Sequence, residues 1–256
     1  MATALFLTAA AAIGTYAWQS GAIGTKAAQE EMTADDAVLA AGYTDKDKAA
    51  IEAIVREYIL SHPEIIPEAI QELQARRAAQ KVDSVRMQIQ TPYAKGFAGN
   101  PDGKVVLVEF SDFACGFCRQ SVGDVEQLIA NNPDLKVVFR EMPILSDESN
   151  TAAAWGMAAA QQGKYLAFYK AMFAAGRPSA TTIASAARQA GLDMTSAQAF
   201  VNSGAAQDEV NANIGVAQHL EFTGTPSWVV GNRILSGAVG LEELQEAVDE
   251  ARAENL

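Results

Sequence analysis

Two short, continuous apolar runs stand out downstream of residue 92, at 104–110 (Lys-Val-Val-Leu-Val-Glu-Phe) and 136–140 (Lys-Val-Val-Phe-Arg). Runs of this length and β-branched content suit central, parallel strands covered on both faces. The first ends at Ser111-Asp112-Phe113-Ala114, and the pattern then predicts a helix from near Cys115 to about Ala130. Residues 147–221 are rich in Ala, Gln and Met, with glycines at 163, 176, 191 and 204 marking segment ends. That block predicts four or five helices and no strand. The strand pattern returns at 227–230 and 233–235, joined by the turn pair Gly231-Asn232. An amphipathic run over 241–251 closes the chain. The predicted order is strand, helix, strand, helical insertion, hairpin, helix, which makes 91–256 an α/β domain with an all-helical insertion at about 147–221.

Upstream of that domain the periodicity is helical. Thr44 offers a cap with Asp47 three residues on, and Ile51, Ile54, Val55, Tyr58 and Ile59 follow at helical spacing. Ser61-His62-Pro63 breaks the run and predicts a second helix with Pro63 in its first turn. Ile66, Ile70 and Leu73 continue the stripe, whereas 74–84 is polar almost all round. An isolated helix cannot bury so narrow a seam by itself. The arm over 44–90 therefore either associates with copies of itself or folds onto its own domain; self-association, and so a homo-oligomer, is the expectation. Residues 26–43, small, polar and acidic, read as a linker. Residues 1–25 hold no charged side chain and 4–18 is nearly all apolar, the character of an export signal peptide or short membrane anchor, with a buried terminal helix as the alternative. Export points to a periplasmic location.

Composition narrows the possible chemistry. Of the 256 residues 49% are apolar and 20% charged, enough for a packed core and too apolar for a disordered chain. Acidic residues outnumber basic ones 31 to 19, for a net charge of −12, so a phosphate-reading surface for nucleic acid is excluded as the main function. Two cysteines rule out a disulfide-stapled miniprotein and a four-thiolate metal site. They form Cys115-Gly116-Phe117-Cys118, which alone is compatible with half a zinc site, a redox pair or chance. There is no second C-x-x-C, and His62 and His219 are distant in sequence, so neither a metal site nor a cofactor is predicted. A thiol in the first turn of a helix that follows a strand meets unpaired backbone N–H groups and the positive end of the helix dipole. Both favour the thiolate, making Cys115 the expected nucleophile and Cys118, one turn deeper, the thiol that resolves a mixed disulfide. The segment Gly99-Asn100-Pro101-Asp102-Gly103-Lys104 is too short for a phosphate-cradling loop and precedes a strand where a helix is required.

Three blocks carry a resemblance: Glu109-Phe110-Ser111-Asp112-Phe113-Ala114-Cys115-Gly116-Phe117-Cys118, then Phe139-Arg140-Glu141-Met142-Pro143-Ile144-Leu145, then Gly224-Thr225-Pro226-Ser227-Trp228. In this order they resemble the DsbA-type thioredoxin-fold disulfide oxidoreductases. The helical prelude and the C-G-aromatic-C motif are similar to the ScsC (suppressor of copper sensitivity) branch, where an N-terminal helical segment can oligomerise the catalytic domains. The resemblance implies a thioredoxin fold and thiol–disulfide oxidase or isomerase activity on unfolded or misfolded exported proteins. It also implies a membrane redox partner that re-oxidises or reduces the pair. It identifies Pro226 with the family's cis-proline, exposing the backbone of Thr225 beside Cys115 for an extended substrate, and Glu109 with a buried acid that relays a proton from Cys118; a solvated strand-end glutamate is the alternative for Glu109. Gly116 and Phe117 are expected to touch substrate, and Phe113, Phe117 and Trp228 to rim an apolar surface. The copper-sensitivity branch keeps a Cu(I)-handling role for the same thiol pair as the alternative function.

Overall fold

A computed structural model describes residues 41–254 and divides the chain into two compact units, one ending at Ile66 and the other starting at Pro67. The export segment expected over 1–25 and most of the linker expected over 26–43 lie outside the described residues. In the first unit Thr44 caps helix α1 (Asp45–Ser61) reciprocally: the Asp47 N–H donates to Thr44 Oγ1 at 3.3 Å and the Thr44 N–H to Asp47 Oδ2 at 2.9 Å. No residue of α1 is buried, and Ile51, Ile54, Val55, Tyr58, Ile59 and Leu60 are all exposed. Helix α2 (Ile65–Gln90) begins at Ile65, not at Pro63. His62 closes α1 by donating its N–H to the Tyr58 carbonyl, while the Pro63 carbonyl accepts from Ile66. The break between the two helices takes up Pro63 itself, so it precedes the first turn of α2.

The second unit is built on a five-stranded sheet of order β1-β3-β2-β4-β5. Strands β2 (Val105–Ser111) and β3 (Leu135–Glu141) pair in parallel across helix α3 (Gly116–Asn131). Strand β4 (Ser227–Val230) runs antiparallel on β2, and β5 (Arg233–Ser236) on β4. Strand β1 (Phe97–Gly99), antiparallel on β3, is absent from the predicted order. Three residues, two of them Ala and Gly, carry no periodic signal. A Cβ on Gly99, at φ +80°, would collide with the Leu135 carbonyl oxygen, so the glycine there lets the chain turn from β1 toward β2 against the start of β3.

Five helices separate β3 from β4: α4 (Asp147–Gln161), α5 (Tyr165–Ala175), α6 (Ala180–Gln189), α7 (Met194–Asn202) and α8 (Ala205–His219). Helix α9 (Leu241–Ala253) follows β5. The period of two along β2 sorts its side chains between two cores. Val105 and Leu107 pack with Val125 and Leu128 of α3, Phe168 and Tyr169 of α5, and Leu244 and Val248 of α9. Val108 and Phe110 pack on the other face with Val82 and Ile89 of α2 and with Val216 and Leu220 at the end of α8. Arg140, also buried, donates to the carbonyl oxygens of Gln88, Ile89 and Thr91 and, at 2.6 Å, to Glu209 Oε1. Its guanidinium thereby satisfies carbonyls that the end of α2 leaves without helical partners. The α/β class, the helical insertion in a mixed sheet and the N-terminal helical region agree with the fold expected from the sequence.

Candidate active site

Cys115 is the N-cap of α3 (φ −77°, ψ 123°), one position outside the helix. Its Sγ accepts from the Cys118 N–H at 3.5 Å, as a serine or aspartate oxygen does at other helix starts. The Cys118 side chain does most to lower the Cys115 thiol, burial opposes it, and Thr225 and then the Cys118 and Phe117 amides lower it further, from the usual 9.0 to about 5. As a thiol, Cys115 also donates to the Thr225 carbonyl at 3.2 Å. The Thr225–Pro226 peptide bond is cis.

Cys118 lies in the first turn and is wholly buried. Burial pushes its thiol far up, and Cys115 and the charge of Glu109 push it further. The two sulfurs, one turn apart, are therefore held in opposite protonation states. Glu109 is also wholly buried, inside β2 between Phe139 of β3 and Trp228 of β4. β2 continues for two residues past it, which excludes a solvated strand end. Burial raises its carboxyl from 4.5 to about 8, against the pull of the Tyr169 hydroxyl, which donates at 3.1 and 3.2 Å to the two carboxyl oxygens.

A second buried acid, Glu141 at the end of β3, accepts from the Tyr165 hydroxyl at 2.6 Å. Burial holds its carboxyl well above the usual range. Gly156 of α4 makes room for it, since a Cβ there would sit 2.9 Å from Glu141 Oε1 and 3.3 Å from the Phe113 ring. Asp112 is buried too, and its carboxylate accepts from the Ala114 N–H at 2.7 Å on one oxygen and from the Ile144 and Leu145 N–H groups at 2.9 and 3.0 Å on the other. Sequence reading assigned no role to Asp112, Glu141, Tyr165 or Tyr169. The Asp112 turn has a local signal, an aspartate bonding the amide two residues on. Tyr165 lies 24 positions from Glu141 and Tyr169 lies 60 from Glu109, and neither has one.

The structure gathers Cys115, Cys118, Thr225 and Pro226 in one place, and the charge of Glu109 acts on both sulfurs. Gly116 and Phe117 are exposed in the first turn of α3 beside them. Two expected rim residues are instead core. Phe113, 1% exposed, packs edge-on to Phe168 and against Phe173; Trp228 is wholly buried and its indole N–H donates to the Gly237 carbonyl at 2.9 Å. Trp228 pairs with Glu109 in register, so it faces the same covered side of the sheet. His219 shares a hydrogen bond with Ser84 at 2.8 Å, a packing role. Among the described residues no group of three or more His, Cys, Asp and Glu side chains is placed to hold a metal ion.

A cysteine pair at a helix start, beside a cis-proline and above a buried acid on a mixed sheet, defines the class of thioredoxin-fold thiol–disulfide proteins. Residues 106–249 match the DSBA-like thioredoxin domain, and the chain belongs to that family. Residues 47–80 match the Copper resistance protein ScsC N-terminal domain. A thioredoxin-like oxidoreductase from Silicibacter pomeroyi DSS-3 is 38% identical, with a TM-score of 0.61, covering 64% of this chain and 95% of that one. Proteus mirabilis ScsC in a transitional conformation shares the fold at 24% identity and a TM-score of 0.62, covering 82% of this chain and 99% of that one. The chain also matches much longer proteins: it is 34% identical over 79 residues to Na(+)/H(+) antiporter NhaA 1 of Mycobacterium sp. (strain KMS), which is 30% of this chain and 13% of the antiporter. Among the described residues no helix is long and apolar enough to cross a membrane.

Proposed function

We propose that the protein exchanges disulfides with exported, non-native proteins, with Cys115 as nucleophile and Cys118 as resolving thiol. The observation that carries this reading is the split between the two thiols, one lowered to about 5 at the helix cap and the other buried and raised. In the oxidised form a substrate thiolate attacks Cys115 Sγ, the Cys115–Cys118 bond breaks, and Cys118 leaves with the electron pair. It takes a proton from Glu109, whose carboxyl at about 8 is mostly protonated at neutral pH. A second substrate thiolate then attacks the substrate sulfur of the mixed disulfide and releases Cys115 as a stable thiolate. The substrate is oxidised by two electrons, and a membrane redox partner removes them. In the reduced form the Cys115 thiolate attacks a wrong substrate disulfide, and the freed substrate thiolate re-pairs elsewhere with no net redox change.

Two features support isomerase work in an assembled form. The apolar side chains Ile51, Ile54, Val55 and Ile59 of α1 are exposed among the described residues, which suits self-association. Several redox sites in one particle can hold one substrate at two places. The location proposed is the periplasm. Cu(I) handling by the same thiol pair is the second reading, and coordination there would have to deprotonate Cys118 against the burial that raises its thiol. Refolding of scrambled ribonuclease, run beside insulin reduction and light scattering, tests the proposal. Isomerisation that is lost with Cys115→Ser supports it, and a reduced wild type that reacts with neither substrate overturns it.

A further inference from the structure

Only Asp112, Phe113 and Ala114 lie between the end of β2 at Ser111 and the cap residue Cys115, and Asp112 is 1% exposed. One of its carboxylate oxygens accepts from the Ala114 N–H at 2.7 Å, the turn an aspartate makes with the amide two residues on. The other accepts from the Ile144 and Leu145 N–H groups at 2.9 and 3.0 Å. Just before this clamp the Met142 N–H donates to the Ser111 carbonyl at 2.8 Å, and Pro143 has no N–H to offer. The carboxylate therefore carries the pairing of β2 and β3 one step further, to the edge of the cysteine loop. The main chain of Asp112 meets both cysteines. Its carbonyl accepts from the Cys115 N–H at 2.9 Å, and its N–H faces the Cys118 sulfur. Burial, Cys115 and the charge of Glu109 push the Cys118 thiol up, whereas the Asp112 N–H pulls it down.

We propose that Asp112 is a positioning residue for thiol exchange: its carboxylate fixes the loop so that its own N–H stays on Cys118 Sγ and stabilises the charge that appears there as Cys118 leaves. The proposal rests on Cys115 as the attacked sulfur and Cys118 as the leaving one. When a thiolate attacks Cys115 Sγ the Cys115–Cys118 bond breaks, the electron pair passes to Cys118, and the Glu109 carboxyl supplies the proton. Cys118 is wholly buried, out of reach of solvent, so a donor already in place meets the developing charge without reorganisation. The basicity of the leaving sulfur governs the rate of exchange, so a donor on Cys118 acts on this step, whereas the amides of Cys118 and Phe117 act on Cys115. The Asp112 carboxylate acts only through the peptide it holds.

The test uses the full chain in its disulfide form, reduced by excess dithiothreitol, quenched with N-ethylmaleimide and read by mass spectrometry. A dithiothreitol thiolate attacks Cys115, Cys118 leaves, and the second dithiothreitol thiol closes its own ring disulfide and frees Cys115. Asp112→Asn keeps an oxygen for Ala114 but turns an NH2 group toward the Ile144 and Leu145 N–H groups. It is expected to slow this reduction about tenfold, while the pH midpoint of iodoacetamide alkylation at Cys115 in the reduced protein moves by less than about half a unit. A reduction rate within about twofold of wild type overturns the proposal. So does a midpoint that rises in step with the loss of rate, which marks a site loosened as a whole. The contact is also read with Asp112 intact, by amide hydrogen exchange in reduced wild type and in Cys118→Ala. Loss of the sulfur is expected to speed exchange at the Asp112 N–H about tenfold and to leave the Ala114, Ile144 and Leu145 amides unchanged. An Asp112 amide that exchanges alike in both overturns the proposal, even where Asp112→Asn does not fold. A wild type that dithiothreitol leaves oxidised overturns the thiol-exchange reading itself.

Discussion

Replacing Cys118 with alanine removes the largest influence on Cys115 while leaving the backbone in place. In the wild type the Cys118 side chain is the leading cause of the fall from 9.0 to about 5, and the amides of Cys118 and Phe117 add to it. A thiol at 5 is about 99% ionised at pH 7, against about 1% for one at 9, so the reactive fraction differs about 100-fold. A hydrogen bond to a charged group is worth about 1.5–3 kcal/mol, and one unit of pKa is about 1.4 kcal/mol. Losing the Cys118 thiol should therefore raise the Cys115 midpoint by about one to two units. It should not restore 9.0, because the N–H groups at the helix start remain. The measurement is the rate of iodoacetamide reaction against pH, for the reduced wild type and the Cys118→Ala form, followed by mass spectrometry. A wild-type midpoint at 8 or above would refute the account of the cap, and an unchanged midpoint in the variant would refute the part assigned to the neighbouring thiol.

Glu109→Gln is expected to flatten the pH dependence of stability: the protonated carboxyl contributes fully below 4.5 and its contribution is lost as pH rises through about 8, a span of roughly 5 kcal/mol, so urea unfolding of wild type and variant should diverge between pH 5 and 9. Arg140→Met should cost about 3–5 kcal/mol in the same assay, since it leaves Glu209 and the carbonyls at the end of α2 unpaired; a cost near zero would show that solvent replaces the guanidinium. Gly156→Ala should destabilise by about 1–3 kcal/mol through the clash with Glu141 and Phe113, visible as a lower thermal midpoint. Ile54→Lys with Tyr58→Lys should turn an assembled protein into a monomer by light scattering, and an unchanged mass would remove α1 from the interface.

Local sequence was enough for whatever depends on neighbours within a turn or two. The runs at 104–110 and 136–140 became β2 and β3 because their apolar periodicity needs no distant partner to be recognised. Cys115 could be set at a helix start because a strand end and a helical stripe flank it, and the Thr44–Asp47 cap is a contact between residues three apart. Tertiary packing decided the rest. Whether Glu109 is solvated or sealed depends on Tyr169 and on β3 and β4 closing over it, and no residue near position 109 records that. The same closure put Phe113 and Trp228 inside and left Ile144 and Leu145 outside, although all four are comparably apolar in sequence. Burial is a property of elements brought together from distant parts of the chain, whereas periodicity and capping are properties of one segment. The cysteine motif could be found from the chain alone, and the acids and hydroxyls that surround it only in the assembled fold.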